Sequence, residues 1–482
     1  MTFKPEYYIK NDQKVKALNA KNIAITEIQA KQKKEMGIID KEGKHDIVAS
    51  KFIKYCMKRI AVHQKGEEFW FYNFHEKQYD QLSDSRIRKI FFEIICEADD
   101  SIWNASMEKK YIDFFRRYVR EFEVTGYEPG ILQFQNGILD FSGEELLFED
   151  ASPDYFCQFR LPYNYDKNAE CPQFLKFLND IFENDQERIE LIQEIMGASL
   201  LYDDCMQNLV VFLGKGSNGK SLLATMIKHM LGKSNVSAIS IDRLSGDRFS
   251  KQNLDNKMLN ISSETNVNKL YSTADIKSLT GGDSVEVEKK FSDAYTTEIH
   301  SKFILLANEM IKTSDKTDGF YRRLIIIPFN KQYHDHVPGT KKEKGKAYKD
   351  IYLESKLYDE LSGIFNFALN GLRRLQENDY HFTQPQVCNE ASERYIAEQN
   401  IIKAFVRKHI IFTGNNKDRI NKPALFNEFQ KYCEDGHFYK HNRQTTREKF
   451  KNLLVDYADC EDLFIKIVKS QGKYYYCGLK HK

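Results

Sequence analysis

The eight residues Gly214-Lys215-Gly216-Ser217-Asn218-Gly219-Lys220-Ser221 have the types and spacing that hold phosphate. Glycine lets a backbone curl so that successive N–H groups face one concavity, and a helix opening directly afterwards adds the partial positive charge of its N-terminus. In that frame the Lys220 ammonium would reach the β- and γ-phosphates of a nucleotide, and the Ser221 hydroxyl would hold Mg²⁺. The flanking residues supply the frame. Leu209-Val210-Val211-Phe212-Leu213 reads as a buried strand and Leu222-Leu223-Ala224-Thr225-Met226-Ile227 as the start of a helix. Gly214, Gly216, Ser217, Asn218, Gly219, Lys220 and Ser221 are therefore the expected nucleotide-binding loop, with ATP and Mg²⁺ as expected cofactors.

Hydrolysis also needs a carboxylate that places the metal or activates water, at the end of a neighbouring strand. Glu264 qualifies, since it follows the apolar-rich Met258-Leu259-Asn260-Ile261-Ser262-Ser263. Ser263 stands where a second acid commonly precedes such a glutamate, so one carboxylate would act as metal ligand, as general base or as both. An exposed strand-end glutamate is the plainer alternative. Asn308 closes another apolar run, Phe303-Ile304-Leu305-Leu306-Ala307, and an amide there can orient water or sense a γ-phosphate. Lys220 to Glu264 and Glu264 to Asn308 are both 44 residues, the length of a strand-helix unit with decoration.

Arg322-Arg323 opens the run Leu324-Ile325-Ile326-Ile327-Pro328. The pair is either surface charge or an arginine finger, a planar cation that stabilises transition-state charge in a neighbouring subunit's site. Between Glu264 and Asn308, Val285 and Val287 alternate with polar residues and lead into Lys289, Lys290 and Phe291. This predicts a hairpin whose tip would grip a strand's phosphates and stack on a base, or else an ordinary solvated hairpin.

These residues require a scaffold. From 208 to about 329, strand-like runs at 209–213, 258–262, 303–307 and 324–328 alternate with helical segments, which predicts an α/β core with a parallel sheet. Ahead of it, residues 6 to about 125 read as mostly helical and basic, apart from the strand-like aromatic segment Glu68-Phe69-Trp70-Phe71-Tyr72-Asn73-Phe74. Turns at Asn136-Gly137 and Ser142-Gly143 bracket Ile138-Leu139-Asp140-Phe141, and an amphipathic helical stretch occupies 173–201. The expected division is an N-terminal domain at 1–130, a collar at 131–201, the ATPase core at 202–335, a helical segment at 336–398 and a C-terminal domain at 399–482.

The 482 residues suffice for several cores, and a 41% hydrophobic share with only 9 Pro leaves little room for disordered linkers. Nine cysteines without a Cys-x-x-Cys pair point away from disulfide frameworks and zinc knuckles, and toward a reducing cytoplasm. No apolar run reaches the roughly 18–20 residues of a membrane span. His334 and His336 form a lone pair in a charged stretch and read as loop. Net charge is only +2, but residues 399–482 hold 17 Lys+Arg against 9 Asp+Glu, or +8, which suits a polyanionic partner. Helical signals near 401–410, 423–433 and 445–457, followed by strand-like 463–468 and 473–478, suggest a winged helix-turn-helix. Lys440, Arg443 and Arg447 would lie at its recognition helix, where basic side chains contact phosphates and base edges of duplex DNA.

Taken together, the motifs resemble superfamily 3 helicases of the AAA+ class, in particular the primase-associated helicases of phages, plasmids and mobile elements related to the poxvirus primase-helicase. Residues 214–221 look like motif A, 261–264 like motif B, 280–291 like the DNA-binding hairpin, 305–308 like the sensor motif and 319–324 like the arginine-finger segment. Asn136-Gly137-Ile138-Leu139-Asp140 and Leu161-Pro162-Tyr163-Asn164-Tyr165-Asp166 are similar to the domain preceding that ATPase, and Glu360-Leu361-Ser362-Gly363-Ile364 to the helix following it. The resemblance implies a ring, usually hexameric, that encircles single-stranded DNA and translocates 3′ to 5′ in a bacterial host cytoplasm. Lys289 and Lys290 would contact the strand, Arg323 or Arg322 would complete a neighbour's site, and a separate primase or loader would be a partner. Ser292 departs from the basic residue many relatives carry, and about 200 residues ahead of the loop are too few for a full primase as well. A DNA-bound ATPase switch or loader, and a small-molecule kinase, remain as other readings of the same loop.

Overall fold

In a computed structural model, the described residues are 3–10, 25–41, 44–65, 68–98, 102–103, 105–119, 130–246, 250–263, 270–271, 274–287, 295–313, 318–335, 346–436, 438 and 445–482. The chain divides into two compact units, Met1–Asp166 and Lys167–Lys482.

The first unit sets its helices against short antiparallel sheets. The aromatic segment is the middle strand, Glu68–Asn73, of a three-stranded antiparallel sheet flanked by Val62–Lys65 and Gln78–Leu82. Helices Ala49–Arg59, Asp84–Cys96 and Glu108–Tyr118 bury Phe52, Phe91 and Phe115 with strand residues Phe69 and Phe71 in one aromatic core. A second antiparallel sheet follows, formed by Ile131–Phe134, Gly137–Asp140 and Leu147–Glu149. Its Asn136-Gly137 turn is tied to the Leu161–Asp166 stretch: the Asn136 amide donates to the Tyr165 carbonyl at 2.9 Å and accepts from the Tyr165 N–H at 2.8 Å. Two motifs that are 25 residues apart in sequence thus act as one structural element.

The second unit begins with α1 (Pro172–Ile181) and α2 (Gln186–Ala198), which lead into a five-stranded sheet. Its strands are β1 (Leu209–Leu213), β2 (Val236–Ser237), β3 (Leu259–Ser263), β4 (Lys302–Ala307) and β5 (Leu324–Pro328), ordered β2-β3-β4-β1-β5 and all parallel. Strands covered on both faces read as near-continuous apolar runs, which is why β1, β4 and β5 are legible in the sequence. The two-residue β2 carries no such run. Helix α3 (Lys220–Leu231) follows β1 directly.

Helix α4 (Leu361–Glu377) lies against α2 at unusually close range. A Cβ at Gly371 would fall 2.1 Å from the Gln193 carbonyl oxygen, and one at Gly197 would fall 2.4 Å from the Leu372 nitrogen. Beside this crossing, the buried Glu194 accepts from Arg374 Nε at 2.8 Å and from the Thr383 N–H and hydroxyl at 2.7 Å each, so its charge is fully compensated.

The C-terminal region contains α5 (Gln386–Gln399), α6 (Ile401–His409), α7 (Lys422–Asp435) and α8 (Arg447–Cys460). Strands β6 (Arg419–Asn421), β7 (Lys466–Ser470) and β8 (Lys473–Cys477) form an antiparallel sheet with β8 in the middle, and β7 and β8 make the hairpin anticipated from sequence. The short β6 was not anticipated, because three residues show no alternation. Among the described residues, no helix is long and apolar enough to cross a membrane.

Candidate nucleotide site

The loop joining β1 to α3 takes the conformation its glycines permit. Gly216, Ser217 and Gly219 have φ of 81°, 46° and 89°, so the backbone enters the positive-φ region twice, at 216–217 and again at 219, before the helix starts at Lys220. Such alternation turns consecutive N–H groups toward one side and builds an anion-sized concavity. Gly219 also has to be small, because a Cβ there would sit 2.7 Å from Ile181 Cγ2 of α1.

The sheet order sets the walls. Parallel register places Ala307 of β4 opposite Leu213 of β1, and the Gly214 N–H continues the ladder by donating to the Ala307 carbonyl at 3.0 Å. Asn308, the next residue, is thereby delivered beside the loop. Lys220, buried at the first position of α3, donates from Nζ to the Gly214 carbonyl and lies 3.5 Å from Asn308 Oδ1. Burial pushes the Lys220 ammonium below its ordinary pKa, a direction that an incoming polyanion would oppose. Two sequence-predicted residues 88 positions apart are thus brought into contact.

The other wall comes from the chain after β5. Phe329 donates its N–H to Leu213 at 2.7 Å and accepts on its carbonyl from the Asn218 side chain at 3.2 Å, while the Tyr333 N–H donates to Ser217 at 2.7 Å. Tyr333 and Lys331 both donate from their side chains to Asp180 of α1. Burial alone would raise the Asp180 pKa, but the hydrogen bonds from Lys331 and Tyr333 reverse that and hold it below the usual carboxylate value. Sequence reading missed this trio, and no local signal marks it, since its members are about 150 positions apart.

Loop and walls enclose a cavity of about 1050 Å³ whose lining includes residues 216–221, Ser263, Asn308, Glu309 and Tyr333. A site with this donor set, comprising curled backbone N–H groups, a lysine ammonium and a helix-first-turn hydroxyl at Ser221, fits the phosphates of a nucleotide. Ser263 ends β3 at the cavity; Glu264 lies outside the described residues, as do Lys289, Lys290 and Phe291. Among the described residues, no cluster of three or more His, Cys, Asp or Glu side chains could hold a metal ion by itself. A Ser221 and carboxylate arrangement completed by phosphate oxygens is the usual way Mg²⁺ is bound beside nucleotides.

Arg322 and Arg323 are located elsewhere. They precede β5, whose first residue is in register with Leu209 at the start of β1, so they occupy the sheet edge opposite the loop, about 15 Å away along five strand residues. Arg322 is exposed, whereas Arg323 is partly buried and donates from Nη1 to the Gly319 carbonyl at 2.6 Å. Neither can serve the cavity of its own chain.

The hairpin expected at 280–291 has antiparallel arms Ser284–Val287 and Tyr295–Glu298, with Val285 and Val287 buried. Arg447 opens α8 and is exposed; Lys440 and Arg443 lie outside the described residues.

Comparison with known proteins adds three findings. Residues 49–183 match the family described as "D5 N terminal like", and residues 212–323, which include the loop, Asn308 and both arginines, match a family of unknown function, DUF5906. The chain is 23% identical over 376 residues to a protein of Acanthamoeba polyphaga mimivirus and 24% identical over 360 residues to one of Invertebrate iridescent virus 6, both named "Putative helicase". These alignments cover 70% and 68% of this chain but only 39% and 37% of the relatives, so the chain spans little more than a third of their length. In fold it is similar to the A form apo structure of NrS-1 C terminal region-CTR, with a TM-score of 0.50, 14% identity, and coverage of 92% of this chain and 100% of that one.

Proposed function

We propose that this chain is the motor portion of a DNA-replication helicase of the superfamily 3, AAA+ kind, in which copies assemble as a ring, hydrolyse ATP and move 3′ to 5′ along single-stranded DNA. The observation that carries the reading is the meeting of Lys220 with Asn308 at a left-handed phosphate-sized loop, in a chain similar over most of its length to viral proteins named as helicases. ATP supplies the phosphoanhydride bond whose hydrolysis drives movement.

Gly214, Gly216, Ser217, Asn218 and Gly219 shape the cradle, Lys220 neutralises the β- and γ-phosphates, and Ser221 with Glu264 holds Mg²⁺. Glu264 also draws a proton from water, and Asn308 orients that water. Because Arg322 and Arg323 stand at the far sheet edge, a finger drawn from them acts on the next copy, which makes assembly a condition of catalysis. Lys289, Lys290 and Phe291, which fall in sequence between the two arms of the hairpin, contact the strand in the ring channel. The basic C-terminal domain, read as a winged helix, contacts duplex DNA through Lys440, Arg443 and Arg447, which would let the protein recognise an origin. A primase or loader on another chain completes the assembly.

DNA-stimulated ATP hydrolysis tests the reading. Wild type is expected to be stimulated by single-stranded DNA, and Lys220→Ala to lose hydrolysis with and without it. Hydrolysis indifferent to DNA would return the small-molecule kinase to consideration.

A further inference from the structure

Strand β8 places three tyrosines in succession, Tyr474, Tyr475 and Tyr476, where a half-buried strand ordinarily alternates polar and apolar residues. Tyr474 and Tyr476 share one face. Tyr476 is fully buried against Phe426 and Phe450 in the module's core, but Tyr474 is 50% exposed at the rim of a groove of about 500 Å³. That groove runs between the starts of α7 and α8 and the β7–β8 turn, and its cations are Lys422, Arg447 and Lys473. Its one acid, Glu448, already accepts from Lys451.

The cations are arranged around rings. Lys422 Nζ lies 5.8 Å from the Tyr474 centroid and 5.5 Å from that of Tyr476, and Lys469 Nζ is 5.6 Å from Tyr474. Lys422 is half-buried and Lys469 exposed; lysines that rest on an exposed ring keep their charge at the height of a stacked base and can swing to the phosphates beside it. An anionic ligand with flat apolar faces satisfies both features. Inside a duplex those faces are stacked on neighbouring base pairs, so a duplex interior cannot cover Tyr474 whereas an unpaired base can.

We propose that this groove binds single-stranded DNA, with an unpaired base stacked on Tyr474 and backbone phosphates on Lys422, Arg447 and Lys473. Arg447 also belongs to the segment assigned above to duplex DNA, which places the groove where a duplex gives way to a single strand. The inference rests on the reading that the chain acts on DNA, but not on hydrolysis or on the ring.

The test uses the full chain carrying Lys289→Ala with Lys290→Ala, to weaken the hairpin contact, and a fluorescent oligo-dT without nucleotide. Adding Tyr474→Ala is expected to weaken binding roughly tenfold and Tyr474→Phe to leave it unchanged, because stacking needs the ring and not the hydroxyl. Adding Lys422→Ala with Lys473→Ala should reduce the salt-dependence slope by about 1.4, two phosphate contacts on a single strand. Photocross-linking of iododeoxyuridine-substituted oligo-dT to the unsubstituted protein should label residues 473–476. Unchanged affinity in Tyr474→Ala with labelling confined to 288–294 would overturn the groove and leave the helicase reading standing. Equal displacement by duplex competitor would overturn the single-strand assignment, and no binding of oligo-dT by any form, wild type included, would overturn both.

Discussion

At the scale of single residues, fold geometry brings a few distant side chains to one loop. Lys220 was legible because its motif is contiguous, and Asn308 because it ends an apolar strand; their contact follows from β4 lying directly beside β1. Asn308→Ala should lower the rate of ATP hydrolysis about 10²- to 10³-fold, the range seen when one oriented polar group is removed from a phosphate or oxyanion site, with smaller change in nucleotide affinity. Steady-state kinetics with a fluorescent-nucleotide titration separates the two effects. Asp180 was illegible, since its partners Lys331 and Tyr333 are distant in sequence. Its carboxyl titrates below the ordinary 3.8, so the stabilisation it gives is complete above that value and disappears as pH falls through the lower, folded-state value. With the side chain 48% exposed, Asp180→Asn should cost no more than about 1 kcal/mol at neutral pH and nothing once wild-type Asp180 is itself protonated. Melting temperatures measured across the acid range would show the two proteins converging.

At the scale of elements, long apolar strands and the helix after the loop were readable, whereas elements defined by partners were not. Strand β6 and the two-residue β2 exist because neighbouring strands offer hydrogen bonds, and three or two residues have no periodicity of their own. The crossing of α2 and α4 is similar: two glycines say little in sequence until Gly197 and Gly371 are seen to admit the opposing backbone. Gly371→Ala should therefore destabilise the second unit by about 1–3 kcal/mol through overpacking, measured as an earlier denaturation midpoint of that unit. The cysteines also belong here. Burial pushes the thiols of Cys171, Cys205, Cys388 and Cys433 up to about 12, so the native protein should resist iodoacetamide at pH 8 at these positions and react only after unfolding. Peptide mapping of the alkylated protein checks each site.

At the scale of the whole molecule, the fold holds the proposed nucleotide loop and the proposed arginine finger apart. The phosphate cradle is at one end of the sheet and Arg322-Arg323 at the other, so catalysis that uses both requires two copies. Mixing Lys220→Ala with the Arg322→Ala, Arg323→Ala double variant should recover hydrolysis that neither has alone, because mixed assemblies contain interfaces with both groups intact; a double variant that is active by itself would place the arginines outside catalysis, and two inactive preparations that stay inactive together would contradict action across the interface. The central claim is movement along DNA, and unwinding of forked DNA tests it most directly. Strand separation should occur on a fork with a 3′ single-stranded tail, fail on one with only a 5′ tail, and be abolished by Lys220→Ala. Separation from the 5′ tail would contradict the assigned polarity, and DNA-stimulated hydrolysis with no separation on either fork would contradict the helicase account in favour of an ATP-driven switch or loader.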